Sequence, residues 1–349
     1  MNYSISHSAR FHNLRALLWD GTKLYSSRGY SVLCYDTANP NNTWDLVGRY
    51  SPNLIQRISE KSIAVSRIRR AGFHSLILLE DNSLLGIIDK ALVKLDSNTN
   101  TFKTVFNITR GTRPLSVSKN PQGHLYWGEY FNNPNRESVH IYSSYDSGEN
   151  WSIAYTFPKS QIRHIHNIIW DKYLEQFWIF TGDDHDECLI MKADPNMQTL
   201  DIVFAGTQQI RCVAAIPRPE GLYFATDTPF EINNICLIDH ANNLHTISEL
   251  SSSSLSACHV GNLLFFSSAV EPSNVNKTKH TSLEFSEDGR NWNNVVKWEK
   301  SRLPSKLFQF ANISLPSGNN SSSFLAATGI AVNKEHMVTH LWEIQKYQK

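Results

Sequence analysis

Short aromatic and aliphatic doublets open one β-like run after another: Leu24-Tyr25, Leu84-Leu85, Leu125-Tyr126, Phe177-Trp178, Leu222-Tyr223, Leu264-Phe265 and Phe324-Leu325. They recur about every 40 to 60 residues, the interval of propeller blades. Each follows a β-like run and a turn, as in Ala16-Leu17-Leu18-Trp19-Asp20-Gly21. The first six precede a third run, such as Val139-His140-Ile141-Tyr142, and a fourth, such as Trp151-Ser152-Ile153-Ala154. Short runs joined by Gly, Asn, Asp and Ser turns, with no convincing long amphipathic helix, predict an all-β chain. The expected architecture is a β-propeller of seven four-stranded blades, with six or eight as fallbacks, occupying residues 1–349 as a single domain. The seventh unit stops at Leu341-Trp342-Glu343-Ile344 without a fourth run, and the N-terminal Tyr3 to Phe11 segment is placed to supply it and close the ring.

Along a blade the chain alternates between the two ends of the disc. The entry to the first strand and the turn between the second and third therefore share a face. Arg15, Arg70, Arg113, Arg163 and Arg211 fall roughly nine to fourteen residues before their doublets, which brings an arginine to the same place in five successive units. The second-to-third turns hold Arg28, Asp89, Glu129 and Tyr130 with Asn133 and Arg136, Asp183 to Glu187, Asp227, and Glu271 with Asn274 and Asn276. Both sets converge on one mouth. Arg70, Arg113, Arg136, Arg163 and Arg211, with Glu271 and Asn274, are the expected substrate contacts, because a guanidinium fork holds carboxylate or sulfate in two-pronged fashion. The competing reading is that these charges pair with one another across blades.

Glu129, Tyr130, His164, His166, Asp183 and Asp227 are the candidate catalytic groups. His164 and His166 are two apart, so on a strand they point to one side. With His185 or a carboxylate of the adjoining turn they could hold a divalent metal, they could serve as a general base, or they could be structural hydrogen bonds between blades. Tyr130 beside Glu129 is a candidate nucleophile, or a packing tyrosine.

The totals remove several classes of function. Thirty-three Lys and Arg against 32 Asp and Glu give a net charge of +1, which argues against a general nucleic-acid or anionic-membrane surface. The start has neither a basic nor an apolar leader segment, and no run of about eighteen apolar residues suggests a membrane span; the default location is cytoplasmic. Five cysteines without a Cys-x-x-Cys pair read as buried thiols. Asn-x-Ser/Thr triplets at Asn41, Asn107, Asn276 and Asn312 carry little meaning without an export signal.

Two turns carry a family pattern. Ser144-Tyr145-Asp146-Ser147-Gly148-Glu149-Asn150-Trp151 matches S-x-D-x-G-x-x-W, and Phe285-Ser286-Glu287-Asp288-Gly289-Arg290-Asn291-Trp292 is a degenerate copy with Glu in place of the Asp. In this motif the Asp caps backbone N–H groups, the Gly takes a positive φ and the Trp packs, so its role is structural. The chain thereby resembles the sialidase-like Asp-box (BNR-repeat) propellers over its whole length. Segments such as Gly128-Glu129-Tyr130, Ile162-Arg163-His164-Ile165-His166 and Val270-Glu271-Pro272-Ser273 look like a little-characterised bacterial group associated with surface-glycan loci. The resemblance implies an arginine triad for a sugar carboxylate (Arg70, Arg163, Arg211), a Tyr/Glu nucleophile pair (Tyr130 with Glu129) and an Asp acid (Asp183 or Asp227). The F-R-I-P motif that opens many sialidases is absent, Arg70 being followed by Ala71-Gly72. The expected function is a carbohydrate-active enzyme on an anionic oligo- or polysaccharide, a sialidase-like glycosidase or a uronate-type lyase. The alternative is a non-catalytic propeller binding a glycan or protein on the same face. No cofactor is expected, and a divalent metal is the open question.

Overall fold

In the computed structural model, which describes residues 3–39, 43–61, 63–304 and 308–347, backbone pairing sorts the strands into successive antiparallel groups of four. Asn41 lies outside the described residues. The first unit is Arg15–Gly21, Lys23–Arg28, Ser31–Asp36 and Asp45–Tyr50. The second is Ser75–Leu78, Leu84–Ile88, Ala91–Asp96 and Thr101–Asn107. The third is Ser118–Lys119, Leu125–Gly128, Val139–Ser144 and Ser152–Phe157. The fourth is His164–Asp171, Gln176–Gly182, Leu189–Ala193 and Leu200–Ala205. The fifth is Cys212–Arg218, Gly221–Thr226, Asn233–Asp239 and Leu244–Leu250. The sixth is Ser254–Val260, Leu263–Val270, His280–Ser286 and Asn293–Glu299. The last is Ala311–Ser314, Phe324–Ile330 and Val338–Lys346, completed by the N-terminal Tyr3–His12, which pairs from Tyr3↔Lys346 to His12↔Val338.

Every doublet lies on a second strand. Those of the second, third and fifth units are buried at each position, because sheets cover both faces and alternation disappears. The core is therefore a series of aromatic-rich seams between neighbouring units. Tyr126 and Phe177, for example, join the third unit to the fourth with ring centroids 5.0 Å apart.

The units are not joined alike. Leu263–Val270 also pairs with Ala311–Ser314, which merges units six and seven into one sheet. Asp45–Tyr50 pairs in parallel with Thr101–Asn107, which merges units one and two, and Ser317–Asn320, from between the first two strands of the last unit, adds to the same sheet in parallel with Arg15–Gly21. Units three, four and five stand as separate four-stranded sheets.

The turns between third and fourth strands share one device. Asp146 accepts hydrogen bonds from Ser144 Oγ (2.8 Å) and Asn150 N (2.9 Å), Trp151 Nε1 donates to Gly148 O (3.0 Å), and Gly148 sits at φ +79°. In the degenerate copy the cap is Asp288, one residue on from Glu287; it accepts from Arg290 N (2.9 Å) and Asn291 N (2.8 Å). Asp36, Asp96, Asp194 and Asp239 cap the same turn in four further units.

Two short helices, Leu54–Lys61 and Ile63–Arg69, connect units one and two. Asn53 and Gln56 exchange reciprocal side-chain-to-backbone hydrogen bonds of 2.9 Å, a capping box that starts the first helix. All five cysteines are free thiols; Cys188, Cys212 and Cys236 are buried, while Cys34 and Cys258 are half-buried. Asn276, in an Asn-x-Thr triplet, is buried and donates to Thr228 O (3.2 Å). Among the described residues no helix is long and apolar enough to cross a membrane.

Candidate functional site

The inner-strand entries carry the five arginines at equivalent places. The residue after the second strand is an acid in units two to six: Asp89, Glu129, Asp183, Asp227 and Glu271. An arginine ring and a carboxylate ring thus face the same opening. How they pair decides what the opening offers.

In units four and five they pair closely. Arg163 Nη1 lies 3.2 Å from Asp183 Oδ2, and Arg211 Nη2 lies 2.9 Å from Asp183 Oδ1 and 3.5 Å from Asp227 Oδ2. His166 Nε2 is 3.2 Å and His164 Nε2 3.5 Å from Asp183 Oδ1. Burial opposes ionisation of Asp183, but its contacts with both imidazoles and the Arg211 charge overcome it and hold the carboxyl well below the usual carboxylate range. Asp227, 5% exposed, has the opposite fate: burial, reinforced by Glu271 and Asp183 against the pull of Arg211, pushes it up to about 8. One carboxyl is therefore fixed as an anion, and its neighbour across Arg211 keeps its proton at neutral pH. Glu271 accepts from Ser253 Oγ (2.8 Å), and Asn274 is exposed.

The bulge between Ile165 and Asn167 lets His164 and His166 lean together, as their spacing predicts. His164 Nδ1 donates to Phe131 O of unit three (3.0 Å), and His166 Nδ1 to Cys212 O of unit five (3.0 Å). Their Nε2 atoms are 3.2 Å apart. Gly182 is required here, because a Cβ would lie 2.6 Å from His166 Cε1. His185 does not join them. It lies exposed on the short helix His185–Glu187, against Phe230, and Asp183 takes the place expected of it.

The Tyr130–Glu129 pair is not formed, because Arg110 takes the Glu129 carboxylate and Tyr130 turns to His164. Glu129 is buried and held by a two-pronged ion pair to Arg110, one arm 2.8 Å, with His140 N also donating to it (2.9 Å). Tyr130 instead stacks on His164 at 4.3 Å, and burial, with Asp183 and Asp227 nearby, pushes its hydroxyl up to about 12, which weakens it as a nucleophile. Arg136 is likewise consumed, by Asp184 and Glu187.

Units one to three differ. Arg110, three residues before Arg113, has taken Glu129, and the helical insertion carries Arg70. Among the described residues no carboxylate lies within ion-pairing distance of Arg15, Arg70 or Arg113. Burial and then the repulsion of Arg70 lower Arg15 to about 10; burial, Arg70 and Arg15 lower Arg113 to about 9. His74, which accepts from Arg15 Nη1 (3.0 Å), is held neutral by burial and by Arg113 and Arg15.

Two cavities follow from this division. The larger, about 880 Å³, is lined by Lys90, Arg110, Tyr130, Arg163, His164 and Asp183, among others. The smaller, about 280 Å³, has Arg15, Arg28, Arg67, Arg70, His74 and His336 in its wall and, among the described residues, no carboxylate. Tyr130, in the wall of the larger cavity, feels the charges of Asp183, Arg211 and Arg70. Arg110, Arg67, His74 and His336 were not singled out by the sequence; Arg67 and Arg70, one helical turn apart at a helix end, were its available signal.

No family model and no curated protein sequence matches the chain. Among solved structures it is similar to a chain of the mitotic checkpoint complex (TM-score 0.60, 10% identity, 98% of this chain and 95% of that one). It is also similar to the WD40 β-propeller domain of Doa1 (0.59, 11%, 97% of each chain). The chain is a β-propeller. A chain of the nidogen/laminin complex is more distant (0.51, 9%, 86% of this chain and 98% of that one). At such identities the likeness establishes the propeller fold alone.

Proposed function

We propose that this propeller binds an anionic glycan across its central opening and acts on it by acid–base chemistry, as a sialidase-like glycosidase or a uronate-type lyase. The observation that carries the reading is the small cavity, whose wall holds four arginines and two histidines and, among the described residues, no carboxylate. Guanidiniums gathered without counter-ions repel one another, and an anionic ligand removes that cost. A carboxylated or sulfated sugar anchored there would extend past Tyr130 into the larger cavity. Asp227, which keeps its proton to about pH 8, is the proton donor in this reading, and Asp183 is the fixed negative charge beside it.

A second reading, a binding module using the same mouth for a glycan or protein, is favoured by one observation. The Asp183 carboxylate is already contacted by two guanidiniums and two imidazoles. The deciding experiment is a screen of uronate-containing, sialylated and sulfated oligosaccharides against neutral counterparts, reading binding and bond cleavage separately. Acidic ligands are expected to bind and Arg70→Ala to weaken them. Cleavage is expected to fail in Asp227→Asn. Binding without cleavage selects the module, and equal affinity for neutral and acidic sugars overturns both.

A further inference from the structure

The two histidines of unit four pose a problem of their own. Each ring is tied at Nδ1 to a main-chain carbonyl, His164 to Phe131 and His166 to Cys212, both at 3.0 Å. A carbonyl only accepts, so each Nδ1 carries the proton and each neutral ring presents a bare lone pair at Nε2. Those Nε2 atoms are 3.2 Å apart, and Asp183 Oδ1 lies 3.2 Å from one and 3.5 Å from the other. Three acceptors face one point, and their repulsion calls for a positive centre between them.

The triangle has the dimensions of a coordination shell. Ligands about 2.0–2.1 Å from a tetrahedral ion stand about 3.3–3.4 Å from one another, and the three separations here bracket that value. We infer that His164, His166 and Asp183 form a binding site for a divalent transition-metal ion of the zinc class, held by two neutral imidazoles and one carboxylate. The Phe131 and Cys212 carbonyls serve as the outer partners that fix tautomer and ring orientation. His164 and Asp183 also line the larger cavity, so a remaining coordination position on that side is open to a water or an anionic ligand. Arg163 and Arg211 on the same carboxylate add positive charge, which lowers affinity for the ion and suits a fourth ligand that is an anion. The rival occupant of this point is a proton shared between the two rings, which the same distances admit. The inference does not rest on the glycan reading, since it concerns the ion alone.

The full chain, stripped with a chelator and titrated calorimetrically with Zn²⁺ against a competing chelator, is expected to take up one equivalent. Co²⁺ in its place is expected to give the visible absorption of a tetrahedral ion. His164→Asn and Asp183→Asn should each weaken Zn²⁺ binding by at least about 100-fold, the upper end of what loss of an outer-shell partner alone costs. His185→Ala should bind as wild type does. If His164→Asn melts abnormally, Asp183→Asn, which keeps its shape, carries the test. Absence of saturable Zn²⁺ binding by wild type, or unchanged binding in both variants, overturns the inference and leaves the shared proton in the site.

Discussion

Two arcs of one ring carry the same arginine at the same place and come to opposite chemical states. In units four and five each guanidinium meets a carboxylate from the end of a second strand, and the charges settle into a compact network around Asp183. In units one to three the acids are diverted or distant, and Arg15, Arg70 and Arg113 are left facing one another. The difference does not arise at the arginines. It arises from Arg110 capturing Glu129 and from the helical insertion that carries Arg70. A repeated position thus becomes an anion trap or an acid–base centre according to what its neighbours have already consumed.

The comparison can be broken hardest at Glu129. Glu129→Ala leaves Arg110 without its buried partner, and loss of one half of a buried ion pair costs about 3 kcal/mol or more. Denaturant unfolding is expected to show that loss; an unchanged midpoint would mean that Glu129 does not divert the pairing. Next is Asp227. The folded chain keeps its proton to about pH 8, whereas an unfolded Asp releases it near about 4. Between those values the unfolded state binds fewer protons, so stability falls as pH rises through the window. Asp227→Asn removes that titration, and its stability relative to wild type should improve by a few kcal/mol, on the order of 1.4 per pH unit, between about pH 5 and 8. Urea midpoints at the two ends of the window check it, and a constant difference would sink the assignment.

Smaller effects sharpen the contrast between the arcs. Arg70→Ala, in the wall of the small cavity, should weaken an acidic oligosaccharide about tenfold, the scale of one charge-assisted hydrogen bond. Arg163→Ala should weaken it less, because Asp183 already holds that guanidinium. Titration of both variants with one ligand ranks them, and the reverse order would move the anion site to the other arc. Smallest is His185→Ala: the side chain is exposed and apart from the histidine pair, so neither stability nor ligand affinity should change measurably.

The fold was legible because its signal repeats. Seven doublets mark seven second strands, and an unpaired Tyr3 to Phe11 segment marks the closing strand. The capping turns were half-legible: only Asp146 keeps the full motif spacing, although Asp36, Asp96, Asp194, Asp239 and Asp288 perform the same task. Backbone N–H groups need an oxygen at the right point, and several spacings deliver one. The helical insertion was missed because its helices span only eight and seven residues, too short for the apolar stripe to repeat; Asn53 and Gln56 were the better clue. Within the site, residue types were legible and partners were not. Nothing local to Gly128-Glu129-Tyr130 tells that Arg110 claims the glutamate. Nothing local to Asp184-His185 tells that the histidine turns outward.

Units three, four and five, which share no strand pairing with their neighbours, are the ones His164 and His166 bridge, one ring reaching back to Phe131 and the other forward to Cys212. The histidine pair is therefore a rivet through three loosely stitched plates. Whatever occupies the point where the rings meet sets how tightly that arc is clamped, so chemistry at one atom-sized position is transmitted to the spacing of three of the seven units.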